Sequence, residues 1–268
     1  MRPTTILRAG AATGAAAILG ATLLTAPPSQ AAAASSLCSN VITVLVRGSD
    51  EAAGTTNTAT TSTALYAYKT GMGRPGPVAG DLQTVSKKTV YISGLKYAAA
   101  IGMAGLAYNN SRHGGVVNLQ KSLNHLATKC PSSKTVLIGF SQGAHVIGDA
   151  LSASSGVRPN ATARGKIAAV VLYGDPMYNP TEPFVATKGL TKFGMLGTRA
   201  TGDLKAFEGR LRSYCLAGDP ACQGSSKRGG QNLTALNNAA GLAIHRSYFT
   251  ARSTPRVGAV NFIAGKTG

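Results

Sequence analysis

Ser141 sits at the centre of Gly139-Phe140-Ser141-Gln142-Gly143, which fits G-x-S-x-G. These residue types at this spacing suit nucleophilic acyl transfer. The serine would stand on a sharp strand-to-helix turn, flanked by residues small enough to let the backbone pass. A serine hydroxyl is a weak nucleophile until a base takes its proton. The pattern therefore calls for a histidine, an acid to orient it and donors for a negative oxygen. So short a pattern also arises by chance, and the bland alternative is an ordinary strand–turn–helix.

Four histidines are available as the base. His125 falls inside the helical pattern before the serine and reads as a surface or packing residue. His145 is one turn beyond Ser141 on the same helix, and Asp149, four residues on, reads as its partner. His113 reads as a loop residue ahead of a helix, at the rim of the pocket at best. His245, in "GLAIHRSYF", fits the chain order Ser…Asp…His that goes with this elbow, and is the expected base. For the acid, Asp175 ends a strand in "YGDP", whereas Asp219 lies between two cysteines in "YCLAGDPAC". A small disulfide-closed loop would hold Asp219 rigidly enough to orient an imidazole, so Asp219 is preferred. The backbone N–H of Gln142, at the start of the following helix, is the nearest oxyanion donor.

These residues need elements to carry them. "VITVLVRG" (41–48), "KTVYIS" (88–93), "KTVLIGF" (134–140) and "KIAAVVLYGDP" (166–176) read as strands. "GGVVNLQKSLNHLATKC" places Val116, Leu119, Leu123 and Leu126 at helical spacing. "QGAHVIGDALSAS" continues from Ser141 as a helix, and a further helix is expected near 58–70. Strands alternating with helices predict an α/β fold with a central, mainly parallel sheet. From Met177 to Ser213 the chain is Gly-rich and weakly periodic, which predicts a functional loop or short irregular elements.

Arg2 and Arg8 precede the apolar run "AGAATGAAAILGATLLTA" and then "PPSQAAAASS", the three-part pattern of a secretory signal peptide. Residues 1–34 are therefore expected to be a cleaved leader and 35–268 one catalytic domain, secreted to the extracellular side. The alternative, a membrane anchor, fits an Ala- and Gly-rich run with cleavage-spaced alanines less well. Export and an even cysteine count argue for two disulfides. Of the three possible pairings, Cys215 with Cys222 closes a small loop and leaves Cys38 with Cys130. The formal net charge is +18, two of which belong to Arg2 and Arg8. That charge favours acidic surfaces such as anionic lipid or cell-wall polymer, though it is scattered along the chain. With no Trp and no basic run interleaved with aromatics, nothing speaks for nucleic acid.

Four features in order, "VRGSDE", "GFSQG", "CLAGDPAC" and "HRSY", resemble the cutinase family of secreted serine esterases, and more closely its bacterial members. The resemblance implies an α/β-hydrolase three-layer sandwich without a large lid, with Ser141, Asp219 and His245 as a triad. It implies Ser49 as the second oxyanion donor, through its backbone N–H and with its hydroxyl as a further candidate. It calls for no metal and no organic cofactor, and for a monomer acting on an ester or polyester substrate. Cutin-like polyesters, short- to medium-chain acyl esters, glyceride or phospholipid acyl chains and acetylated xylan all fall within it. Three departures stand out. Asp50 follows Ser49 where a small neutral residue is usual, Phe140 replaces a Tyr, and the chain between Asp175 and Cys215 is long. The rival outside catalysis is a basic binding protein that keeps the fold and has lost turnover.

Overall fold

The β-branched runs form a sheet and the segments of helical spacing cover it. The computed structural model describes residues 37–53, 57–59, 66–68, 72–102 and 106–268. The expected leader and its cleavage site lie outside these. In chain order the elements are β1 (Val41–Val46), β2 (Asn57–Ala59), β3 (Tyr66–Tyr68), α1 (Gly76–Val85), β4 (Val90–Gly94), α2 (Leu106–Lys129) and β5 (Lys134–Phe140). Then follow α3 (Gln142–Leu151), α4 (Ala161–Lys166), β6 (Ile167–Tyr173), β7 (Leu211–Tyr214), α5 (Ala239–His245) and α6 (Thr254–Thr267). The main sheet has the order β4-β1-β5-β6-β7, and every pair in it is parallel.

Alternation along the strands sorts the core into two halves, as a sheet buried on both faces requires. Ile42, Val44, Val46, Leu137, Val170 and Leu172 face α2 and α3, where they meet Leu119, Leu123, Val146 and Ile147. Val41, Leu45, Val136, Ile138, Val171 and Tyr173 face α1 and α6, against Leu82, Ala259 and Ile263. The result is a three-layer α/β sandwich. Because all five strands run the same way, their C-terminal ends share one edge. The turns after β1, β5 and β6 leave from that edge, so the chain segments holding Ser49, Ser141 and Asp175 emerge together.

Two expectations are corrected, and a third takes definite form. The helix near 58–70 falls partly outside the described residues. Where it is described, Asn57–Ala59 and Tyr66–Tyr68 pair as antiparallel strands, in keeping with the Thr and Tyr content of the segment. His113 is not in a loop, because α2 begins at Leu106 and runs through Gly114 and Gly115. These glycines look like a break in the sequence, but Gly115 lets α2 pack tightly. A Cβ there would lie 2.8 Å from Val146 and 3.0 Å from Tyr97. Between Met177 and Ser213, the chain holds a 3-10 turn at Lys205–Arg210 and the start of β7, an edge strand of only 4 residues.

Candidate active site

Buried apolar β5 delivers the chain to Ser141, the N-cap of α3, with φ 53° and ψ −120°. That conformation is strained for a residue with a Cβ and stands only when its surroundings hold it there. Its N–H donates to Tyr173 O at 2.9 Å across the end of β6. The flanking glycines are sterically forced. A Cβ on Gly139 would lie 2.7 Å from Gly143 O, and one on Gly143 would lie 2.0 Å from Val46 O.

His245 ends α5, and its Nδ1 lies 2.9 and 3.0 Å from the two carboxylate oxygens of Asp219. An ionised carboxylate only accepts, so the proton between them sits on Nδ1 and leaves Nε2 as an acceptor. Asp219 is fully buried. Its Oδ1 also accepts the Ala221 N–H at 2.8 Å, and its Oδ2 the Tyr248 hydroxyl at 2.5 Å. Burial, reinforced by the Asp219 carboxylate, pushes the Tyr248 phenol well above its ordinary pKa, so Tyr248 stays a donor. The same hydroxyl accepts from Leu216 N at 2.9 Å. Disulfides join Cys215 to Cys222 and Cys38 to Cys130, so the acid's loop is closed covalently. The Phe140 ring, next to Ser141 in the chain, packs 4.7 Å from the His245 ring.

Ser49, Ser141 and His245 line one cleft of about 1040 Å³, with Ile101, Met195, Leu233, Leu236, Leu242 and Phe249 supplying apolar wall. Gln142 opens the first turn of α3, where backbone N–H groups have no partner within the helix. Its side chain is tied elsewhere: the amide donates to Ala100 O at 2.9 Å and accepts from the Ser111 hydroxyl at 2.9 Å. The loop that carries Ser49 is braced by its neighbours. Glu51 accepts the Gly48 N–H at 2.7 Å and pairs with Arg74 at 3.1 Å. Buried Arg47 donates to Glu51 O at 2.8 Å and to Tyr97 O at 2.7 Å, and lies over the Tyr97 ring. Asp50 has φ 60° and is exposed, and it stands at the rim of the cleft.

The other candidates are employed elsewhere. Asp175 pairs with Arg199 at 2.6 Å and accepts Met177 N. Nδ1 of His145 contacts the Tyr108 hydroxyl at 3.0 Å, and its Nε2 lies 3.3 Å from Asp149. Arg199 bridges this group, donating to Asp149 at 3.2 Å and to His145 O at 3.1 Å. His113 is exposed on α2 beside a different groove, and His125 lies further along the same helix. Among the described residues, no cluster of three or more His, Cys, Asp and Glu is placed to hold a metal ion. Sequence reasoning passed over Tyr248, Arg47, Glu51 and Arg199. Tyr248 lies in "HRSY", and Arg47 and Glu51 lie in "VRGSDE", so three of the four stand inside motifs whose bracing roles the motifs do not spell out.

In sequence and in fold the chain resembles several known proteins. A cutinase of Kineococcus radiotolerans is 29% identical over 208 residues, covering 75% of this chain and 58% of that protein. Acetylxylan esterase 2 of Talaromyces purpureogenus is 27% identical over 140 residues, covering 48% of this chain and 59% of that protein. The chain thus spans about half the length of the curated relatives it matches. Among solved structures, an iodinated complex of acetyl xylan esterase superposes with a TM-score of 0.62 at 22% identity, over 86% of this chain and 100% of that one. A cutinase-like protein from Cryptococcus sp. gives a TM-score of 0.60 at 17% identity, over 88% and 98%. At such identities these two speak for the fold. The family model described as Cutinase matches residues 37–266, from the residue before Cys38 into α6 and through both disulfides, and the chain belongs to the cutinase family.

Proposed function

We propose that this protein is a secreted serine esterase that hydrolyses carboxylic esters, with Ser141 as nucleophile, His245 as base and Asp219 as the acid that orients it. One observation carries the reading: a fully buried carboxylate holds Nδ1 of a histidine that lines the same cleft as a strained elbow serine. His245 Nε2 takes the Ser141 proton as Oγ attacks the ester carbonyl. The backbone N–H groups of Gln142 and Ser49 stabilise the oxygen that becomes negative. His245 then protonates the departing alcohol. Water, deprotonated by the same imidazole, attacks the acyl-enzyme and releases the carboxylic acid and Ser141. Asp219 stays ionised and keeps the imidazole in the tautomer that can accept.

The cleft also bears on the substrate. Its volume and the leucines of its wall suit short- to medium-chain acyl groups and apolar polyesters better than an acetyl group alone. Acetyl esters of carbohydrate are the second reading, favoured by the acetylxylan esterases among its relatives. Export rests on the leader pattern and the disulfides. No helix among the described residues is long and apolar enough to cross a membrane.

The test is hydrolysis of p-nitrophenyl esters from acetyl to palmitoyl, comparing the protein with Ser141→Ala. Turnover lost in a folded Ser141→Ala protein is the expected result, with an optimum beyond acetyl. Retained turnover overturns the nucleophile, and a sharp acetyl preference moves the substrate to acetylated carbohydrate.

A further inference from the structure

The end of the sheet opposite Ser141 carries a second feature. A groove of about 700 Å³ runs between the N-terminal ends of β5 and β6, the turn before β7 and the C-terminal end of α6. Four cations line it, Lys134, Lys166, Arg210 and Lys266, and no Asp or Glu does. Glu208, close to Arg210 in sequence, is exposed and is not part of the lining.

Part of this charge has a structural use. Lys134 Nζ approaches Lys266 O and Thr267 O at 3.4 and 3.5 Å, capping α6, and Lys166 caps Pro131 O. Arg210 donates to Ile167 O at 2.6 Å. A helix C-terminus carries roughly half a negative elementary charge, so α6 and α4 together offset only about one of the four positive charges. Each ammonium has three donors and the guanidinium five, so most of their hydrogen-bonding capacity is left over. These backbone contacts also hold the cations in place, which lowers the entropy lost when they engage a ligand.

We infer that this groove binds a linear, phosphate-bearing polyanion. Closely set cations without acids present repeated sites to a chain of phosphates. Among the described residues, none of the exposed large apolar side chains, Val85, Ile101, Leu106, Leu233 and Val257, lines the groove, so these offer it nothing to insert into lipid. No aromatic ring lines it either, which removes the stacking platform that single-stranded nucleic acid uses.

Its position gives the binding a consequence. β5 runs from Lys134 at the groove to Phe140 beside Ser141, and seven strand residues at about 3.3 Å each separate the two by about 20 Å. The groove and the cleft share no lining residue, so a ligand in the groove leaves the cleft open. A molecule held by its base on an anionic polymer would present the cleft outward. This inference stands whether or not the cleft turns over esters.

The experiment measures binding of long-chain inorganic polyphosphate to the whole protein, by anisotropy of labelled polymer, between about 50 and 200 mM salt. The groove variant combines Lys134→Gln, Lys166→Gln, Arg210→Gln and Lys266→Gln. The control removes the same charge at exposed sites elsewhere, with Lys87→Gln, Lys88→Gln, Lys121→Gln and Lys188→Gln. The groove variant should lose affinity by about tenfold or more and show a shallower salt dependence, while the control stays within about threefold. Equal losses in both overturn the inference in favour of diffuse charge. So does tighter binding to phosphatidylglycerol vesicles than to polyphosphate, which would assign the surface to membrane. If the groove variant does not fold, acetylation footprinting of the native protein decides. Polyphosphate should protect Lys134, Lys166 and Lys266 and leave Lys87 and Lys121 reactive; uniform protection overturns the assignment.

Discussion

Tyr248 donates its hydroxyl to Oδ2 of Asp219 at 2.5 Å and accepts the Leu216 N–H through the same oxygen. It thereby ties the acid's disulfide loop to the segment that follows His245. Tyr248→Phe keeps the ring and removes both bonds. Leu216 N–H and one lone pair of Asp219 then lack partners, a loss of about 1–3 kcal/mol. Denaturant unfolding should show that loss, and kcat for a p-nitrophenyl ester should fall about tenfold as Asp219 gains freedom. A variant as fast as the native protein would make Tyr248 a packing residue only.

Gly174 lies where the sheet edge meets this pair. Its φ is +56°, and a Cβ on it would lie 2.8 Å from His245 Cε1 and 2.9 Å from Asp219 Oδ2. Gly174→Ala therefore combines a left-handed backbone penalty of about 1–2 kcal/mol with a push on the imidazole. The expected result is a folded protein with kcat reduced about a hundredfold, since a misplacement of about 1 Å has that effect. Steady-state kinetics beside a thermal melt separate the two contributions.

How much of this was legible depends on the range of the interaction. Ser141 declared itself because Gly139 and Gly143 are local demands of one tight turn. Asp219 did so because its cysteines stand close on either side. β1, β5 and β6 were readable as continuous apolar runs, which only a sheet covered on both faces uses. β7 was not, because a short edge strand with Arg212 partly exposed has too little pattern to read. Gly115 misled, since a glycine required by helix-on-helix packing looks in sequence like one that ends a helix. The roles of Arg47 and Arg199 were not readable for a related reason. Their partners are backbone carbonyls and carboxylates far along the chain.

Arg199 shows what such a partner does. Its guanidinium is buried against Asp149 on α3 and Asp175 after β6. Burial alone would raise the Asp149 pKa, but Arg199, His145 and Arg112 outweigh it and hold the carboxyl well below the usual range. A depressed native pKa contributes stability that is full above the unfolded value near 3.9 and is lost as pH falls through the native one. Arg199→Met leaves Asp175 without its cation and Asp149 with Arg112 and His145 only, and should lose about 3–5 kcal/mol near neutral pH. The gap in melting temperature between native protein and variant should narrow as pH drops below about 4. A gap that stays constant with pH would mean that Arg199 acts through packing alone.

Asp219 and Asp175 make opposite predictions under the same substitution. In Asp219→Asn the amide can turn its NH2 toward Nδ1 of His245, so that the imidazole carries its proton on Nε2. That nitrogen then cannot accept from Ser141, and kcat should fall about 10³- to 10⁴-fold while the fold holds, as for other triads so altered. Asp175→Asn takes one carboxylate from Arg199, which keeps Asp149. The expected loss there is about 1–3 kcal/mol of stability, with kcat within about tenfold of native. Hydrolysis rates across pH for the two variants decide between them. A loss in Asp175→Asn equal to that in Asp219→Asn would mean that His245 exchanges partners during turnover. The 2.9 Å contact to Asp219 and the 2.6 Å pair of Asp175 with Arg199 argue against such an exchange, because each carboxylate is already held by a partner it would have to leave.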